Sequence, residues 1–501
     1  MSAGLVRRPR WPMVLTVVVS MVIGGAVISS LGNHSIVAAG SETHAAKPSD
    51  NAAGKASSTT FASAVKKVAP SVVSVFSSRS VKNEVSSLAP FSDDPLFQRF
   101  FGDTFKNQAP APREREERSL GSGVIISSDG YIVTNNHVID GASDVKVSLN
   151  DRREYTARVI GADSKTDLAV LKIDQTGLPA LSLPENEAVE VGDVVLAVGN
   201  PFGVGQTVTM GIVSATGRGG LGIEAYEDFI QTDAAINPGN SGGALVDAEG
   251  RLIGISTAIL SRSGGNQGIG FAIPARMVHN ISDQIIHNGK VSRAYLGVMI
   301  QPVTPDLAKA FKTSKAEGAL ISDVSADSPA ERAGLKSGDI VTKVDDRAVE
   351  DSRALQLMIG EMPPGRSVKL TVLRDGAERL YPVTLAEQPA ERNETRRATA
   401  GGAPRAESAL DGVALEPVTP EFSRQFGISR DTKGVAVRNV ESGSAAARAG
   451  LEAGDVIVEA NHQTVATVEQ LNGAIKSGTT NVALLLVNHE GRTRYIAVSL
   501  K

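Results

Sequence analysis

The stretch "SPAERAGLKSGDIVTKVDDRAV" at 328–349 returns as "SAAARAGLEAGDVIVEANHQTV" at 444–465. No other feature restricts the fold as much. Each copy is followed by a helix-like segment, "DSRALQLMIGEM" or "TVEQLNGAIKSG", and then by strand-like runs, "SVKLTVLRDG" and "NVALLLVNHEG". Two tandem domains of about 90 residues fit this pattern, whereas a solenoid needs short units in an uninterrupted array. The copies are assigned to 291–387 and 411–501. The stretch between them, 388–410, is apolar-poor and rich in Arg, Glu, Ala and Gly, which reads as a flexible tether.

At 501 residues the chain exceeds one ordinary core, so a third globular unit is expected upstream of the repeat. Its 50 glycines and 4% aromatic content suit short strands and turns. Over 61–288 the runs "GSGVIISSDGYIVTNNHVI", "DVKVSLN", "LAVLKI" and "DVVLAVGN" are split by Gly, Asp and Asn, as in an all-β barrel or sandwich. A long insertion interrupts them at 81–119, with Phe97, Phe100 and Phe101 in an otherwise charged, proline-bearing segment. A net charge of −4, from 51 basic and 55 acidic residues, gives no field that would argue for nucleic acid.

At the N-terminus, Arg7, Arg8 and Arg10 precede an uncharged run from Met13 to Gly32. Small residues at Val37 and Ala39 offer a processing site after Ala39. A cleaved signal and a retained anchor over 1–39 both fit, and both place the body of the protein outside the cytoplasmic membrane. Residues 40–60, small and polar, read as a linker.

Within "QTDAAINPGNSGGALVD" (231–247) the glycines around Ser241 bend the backbone as if to present its hydroxyl. A serine hydroxyl is a poor nucleophile until a base takes its proton. Of seven histidines, only His137, in "IVTNNHVID", ends a buried-looking strand upstream of the serine. Asp167, in "DSKTDLAVLKI", precedes an apolar strand, and Asp163 offers a second carboxylate nearby. The order His137, Asp167, Ser241 is that of the chymotrypsin-like double barrel. "GNSGG" also satisfies the G-x-S-x-G pattern of α/β-hydrolases, but their acid and histidine would follow the serine on alternating strands and helices. The absence of cysteine removes disulfides, thiolate metal sites and a cysteine nucleophile, and there is no H-E-x-x-H. No cofactor is implied.

"TNNHV", "DLAVLKI", "GNPFG", "QTDAAINPGNSGGAL" and "IGFAIP", followed by paired "AGL-x-x-GD" units, resemble the HtrA/Deg family of exported serine proteases. The likeness runs from Phe61 to Lys501 and points to the bacterial Do-like members with two PDZ domains. It implies a mainly β fold: a chymotrypsin-like double β-barrel followed by two PDZ domains. It implies a periplasmic, ATP-independent endopeptidase that degrades unfolded or misfolded envelope proteins, with chaperone activity beside it. His137 becomes the base, Asp167 its orienting partner and Ser241 the nucleophile, with Gly239, Asn240 and Ser241 around the oxyanion hole. The primary pocket is expected from Ala235 and Ile236, with Ile255, Ser256 and Thr257 opposite, which selects small or medium aliphatic residues. Asp233, shifted into that pocket, would instead give trypsin-like cleavage.

Arg218 matches a family arginine that relays activation, and the 81–119 insertion matches a loop that blocks neighbouring sites at rest. Tyr295, Leu296, Gly297 and Val298 match the carboxylate loop with which a PDZ domain takes peptides with hydrophobic C-termini. The corresponding "DGVAL" (411–415) departs from it, so peptide binding and a role in assembly both stay open for the second copy. A homo-oligomer, a trimer or larger cages, is implied. The competing class is a chaperone or PDZ scaffold whose barrel no longer cleaves, and an esterase is a third.

Overall fold

A computed structural model describes residues 60–81, 115–185, 188–200, 205–259, 266–313, 315–389, 409–426, 428, 432–478 and 481–500. The 1–39 leader, most of the 40–60 linker, the phenylalanine-bearing part of the 81–119 insertion and most of the 388–410 tether lie outside the described residues.

The helical spacing after Phe61 becomes α1 (Ala62–Val68), which buries Ala64 and Val68. The alternating stretch beyond it becomes β1 (Val72–Val81). This strand lies between two cores: Val72 packs into one, Val73 and Val75 into the other. The first lobe adds β2 (Arg115–Ile125), β3 (Tyr131–Thr134), the single-turn α2 (Asn136–Ile139), β4 (Asp144–Ser148), β5 (Glu154–Thr156), β6 (Arg158–Asp163) and β7 (Leu168–Lys172). They form a seven-stranded sheet in the order β5-β4-β1-β2-β3-β7-β6, with antiparallel pairs throughout.

The second lobe is a closed barrel of β8 (Val194–Gly199), β9 (Thr207–Arg218), β10 (Phe229–Thr232), β11 (Ala244–Asp247), β12 (Leu252–Ile259) and β13 (Gly270–Pro274). Closure leaves no free edge, which suits strands this apolar. α3 (Ala275–Asn288) then buries Met277, Val278, Ile281 and Ile285, one stripe of a helix, and stops at Gly289 with φ +73°.

The two repeats fold alike. The first contains β14 (Ala294–Tyr295), β15 (Val298–Pro302), α4 (Pro305–Ala310), β16 (Ala319–Val324), α5 (Pro329–Arg332), β17 (Ile340–Val344), β18 (Arg347–Ala348), α6 (Ser352–Gly360), β19 (Ser367–Arg374), β20 (Ala377–Thr384) and β21 (Ala386–Glu387). Its main sheet runs β15-β16-β17-β19-β20, so β15 is an edge strand. The second contains β22 (Val413–Pro417), α7 (Pro420–Gln425), β23 (Val435–Val440), α8 (Ala445–Arg448), β24 (Val456–Ala460), β25 (Gln463–Thr464), α9 (Val468–Lys476), β26 (Val482–His489) and β27 (Arg492–Ser499), in the order β22-β23-β24-β26-β27.

The repeated residues explain the likeness. Ser328 and Ser444 cap α5 and α8, and Asp351 and Thr467 cap α6 and α9, each accepting the N3 backbone N–H. The aspartate of each "GD" is fully buried. Asp339 is held by Arg374 at 2.5 and 2.6 Å, and Asp455 by His489 at 2.8 Å and Arg494 at 3.2 Å. A buried carboxylate is tolerated only when paired in this way.

Leu307, Leu320 and Ile340 of the first repeat share a core with Leu484, Leu486 and Tyr495 of the second. The first repeat also meets the protease lobes. Arg353 on α6 donates to Glu227 O at 3.0 Å and Gln356 to Ala225 O at 3.1 Å. Arg276 bridges Asp228 and Glu361. Burial pushes the Asp228 carboxyl above its usual range, against the pull of Arg276 and Arg353. Buried Arg293 takes both oxygens of Asp163, at 2.8 and 2.6 Å, and lies over the Tyr226 ring at 4.5 Å.

Candidate active site

The site lies where the two lobes meet. His137 stands on α2, directly after β3, and Asp167 directly before β7, which pairs with β3. Asp167 is buried with φ +57°, a left-handed turn that aspartate tolerates better than most residues. That turn aims its carboxylate at α2. Oδ1 accepts the His137 backbone N–H at 2.9 Å, and Oδ2 lies 2.7 Å from the imidazole Nδ1. A third donor, the Thr257 hydroxyl, reaches Oδ2 at 2.6 Å from β12. The Asp167 carbonyl is held by the Asn135 side chain at 2.9 Å and by the Asn136 N–H at 3.1 Å. Asp163 is engaged elsewhere, by Arg293 and the Thr166 hydroxyl.

Ser241 stands in the loop between β10 and β11, with its Oγ donating to Thr257 O at 3.2 Å. Thr257 therefore touches both the carboxylate and the serine. The loop is shaped by glycine at two points. Gly239 has φ +96°, and at Gly242, with φ +84°, a Cβ would lie 2.1 Å from Ser122 O. Ser122 locks the turn from β2: its hydroxyl donates to Gly239 O at 2.6 Å and accepts the Asn200 N–H at 2.9 Å, and its N–H donates to Ser241 O at 2.8 Å. The Asn240 N–H is taken by Asn237 O at 2.9 Å, so it is not available to an oxyanion. Among the described residues, no acceptor takes the N–H of Gly239 or Ser241.

Ala235 is half-buried and its carbonyl accepts the Thr209 hydroxyl, while Ile236 and Ile255 are fully buried in the barrel core. Ser256 is buried, with backbone bonds to the Ser241 loop on both sides: Gly242 N–H to Ser256 O and Ser256 N–H to Gly243 O. Thr257 directs its hydroxyl at Asp167 rather than into a pocket. Asp233 is turned onto β9, where its Oδ1 accepts the Ile212 N–H at 2.8 Å. Arg218, exposed at the end of β9, donates to Gln231 at 2.9 Å.

In the first repeat the Tyr295–Val298 stretch turns from β14 into the edge strand β15. Gly297 has φ +84°, and a Cβ there would meet the Ser328 side chain at 2.2 Å. The second repeat turns the same way despite its different sequence: Gly412, at φ +73°, lies against Ser444. The sequence reading missed Thr257, Ser122 and Arg293 as supports. Ser122, between two glycines in "GSGV", was the legible one.

A trypsin-like peptidase domain matches residues 121–255, and a PDZ domain matches 294–385 and again 412–500. A probable periplasmic serine endoprotease DegP-like of Halomonas elongata is 43% identical over 449 residues, covering 88% of this chain and 93% of its own length. The chain belongs to the DegP-like family of HtrA serine endoproteases. The periplasmic serine endoprotease DegP of Escherichia coli K12 is 42% identical over 398 residues, 79% of each chain. Among solved structures, the HtrA-type protease AlgW with decapeptide is 46% identical with a TM-score of 0.55, covering 66% of this chain and 100% of that one. As a member of the family, the protein is a serine-type endopeptidase built from a trypsin-like protease domain and two PDZ domains.

Proposed function

We propose that this chain is an ATP-independent endopeptidase of the periplasm that degrades unfolded or misfolded envelope proteins and also holds them as a chaperone. His137 acts as the general base, Asp167 fixes its tautomer and Ser241 attacks the scissile carbonyl. The N–H groups of Gly239 and Ser241 receive the oxyanion. The observation that carries this reading is Thr257, whose hydroxyl binds the carboxylate and whose carbonyl binds the serine Oγ, joining residues from both lobes in one site.

The substrate class follows from what surrounds Ser241. With Asp233 bound to β9 and Ala235 beside buried Ile236, the described residues at this point offer no charge, which favours valine or alanine before the cleaved bond. Chain ends with a hydrophobic carboxylate would add as a strand to β15, next to the Tyr295–Val298 turn. α6 of that domain reaches the 225–228 segment, downstream of Arg218, giving a route by which a bound peptide could influence the loop. The test is digestion of unfolded casein with the cleavage sites mapped, with and without a decapeptide ending in a hydrophobic free carboxylate. Cleavage after aliphatic residues, several-fold faster with peptide, is expected. Suppressed aggregation without any cleavage would replace the enzyme by a chaperone.

The assembly reading rests on β9, where Met210 is 61% and Ile212 41% exposed, two residues apart on one face. We take this pair as the candidate contact with another copy. Met210→Glu is expected to shift the sedimentation profile to monomer at micromolar concentration. An unchanged oligomer would place the interface elsewhere.

A further inference from the structure

The strand that would accept a peptide, β15, is an edge strand: one side pairs with β16, the other carries free N–H and C=O groups. Such a strand binds well only if it is held straight before the peptide arrives, since ordering it on binding costs affinity. Its two faces are held differently. Val298 and Ile300 pack into the core of their own domain with Leu355 and Ile359 of α6. The opposite face is met by the second PDZ domain. The Gln301 carboxamide accepts the Tyr495 N–H at 2.7 Å and donates to Tyr495 O at 3.0 Å, as a peptide unit would on the outer edge of β27. Thr493 donates to the Met299 sulfur at 3.9 Å.

The Tyr495 side chain completes the joint. Its ring meets Phe311 edge-on at 5.1 Å, and its hydroxyl lies 2.9 Å from the Ser337 Oγ. Burial pushes this phenol up to about 12, partly offset by the Ser337 hydrogen bond, so it stays protonated at physiological pH. Tyr495 belongs to the core shared between the domains and not to the second domain's own core.

We propose that the second PDZ domain braces the peptide-accepting strand of the first, with Gln301 and Tyr495 as positioning residues that set the first domain's affinity for chain ends. This rests on the reading that the first PDZ domain binds carboxyl-terminal peptides. Linkage makes the effect reciprocal: a peptide on β15 tightens the joint between the domains.

The test uses the full chain in a Ser241→Ala background, so that the probe survives. The probe is a decapeptide with a hydrophobic C-terminal residue as free acid, its amide serving as control. Gln301→Ala and Tyr495→Ser are each expected to weaken free-acid binding about tenfold. The Tyr495 variant is the cleaner arm because it leaves the first domain's sequence intact. Hydrogen exchange supplies a second readout. Amides of 298–301 should exchange faster in both variants while those of 435–440 and 482–487 stay protected, and the Tyr495 amide should slow when peptide binds. Unchanged affinity in both variants overturns the brace and leaves peptide binding standing. Failure of the unsubstituted site to prefer the free acid over the amide overturns both.

Discussion

Ser241→Ala is expected to lower casein turnover by about 10⁶-fold, the scale seen when a triad nucleophile is removed, with the protein still folded. The small structural cost follows from what the hydroxyl touches. Its bond to Thr257 O is long, at 3.2 Å, and the site is only partly buried, so its loss costs about 1 kcal/mol. The features that shape the loop are backbone ones, the Ser122 N–H to Ser241 O bond and the positive φ at Gly239 and Gly242, and alanine keeps them all. Turnover should therefore collapse while the thermal midpoint moves by a few degrees at most. A variant that unfolds at the same temperature and still digests casein would remove Ser241 as the nucleophile.

Asp167→Asn is expected to cost about 10⁴-fold in kcat, by the logic of a wrong imidazole tautomer. The carboxylate accepts from three donors: the His137 N–H, the imidazole and the Thr257 hydroxyl. An amide has one oxygen to offer. If that oxygen keeps the His137 N–H, the NH₂ faces Nδ1 and drives its proton to Nε2, where the base must accept. If the amide flips, the NH₂ faces the His137 N–H, two donors meet, and α2 is displaced. Either way proton transfer fails, although the volume hardly changes. The check is kcat against substrate concentration together with imidazole nitrogen shifts: lost rate with a reversed tautomer supports the role, and full activity refutes it.

The parts of this molecule that were legible in the sequence are those carried by local pattern. The repeat and its paired "AGL-x-x-GD" motif could be read because each copy carries the same residues at the same spacing. His137, Asp167 and Ser241 were legible because order along the chain, with glycine beside the serine, is itself informative. Supports reached across the fold, Ser122 between its two glycines apart, were not legible. Thr257 meets Asp167 from a strand of the other lobe, and nothing in "GISTAI" marks that threonine from its neighbours. The sequence reading offered Thr257 to the pocket wall and left Asp163 as a second acid, because only packing shows where a hydroxyl or a carboxylate is already engaged.

The buried Arg293–Asp163 pair has a mechanical consequence. It fastens the first residues of the PDZ region to the turn that, four residues later, holds Asp167. Removing one partner of a buried pair costs about 3–5 kcal/mol, whereas the contacts around α6, those of Arg353 and Gln356 to backbone carbonyls, of Arg353 to Asp228 at 3.5 Å and of Arg276 to Glu361, lie at a partly exposed surface. Any swing of the PDZ domains therefore has its axle at Arg293: the far side lifts first, and the point nearest the acid moves least.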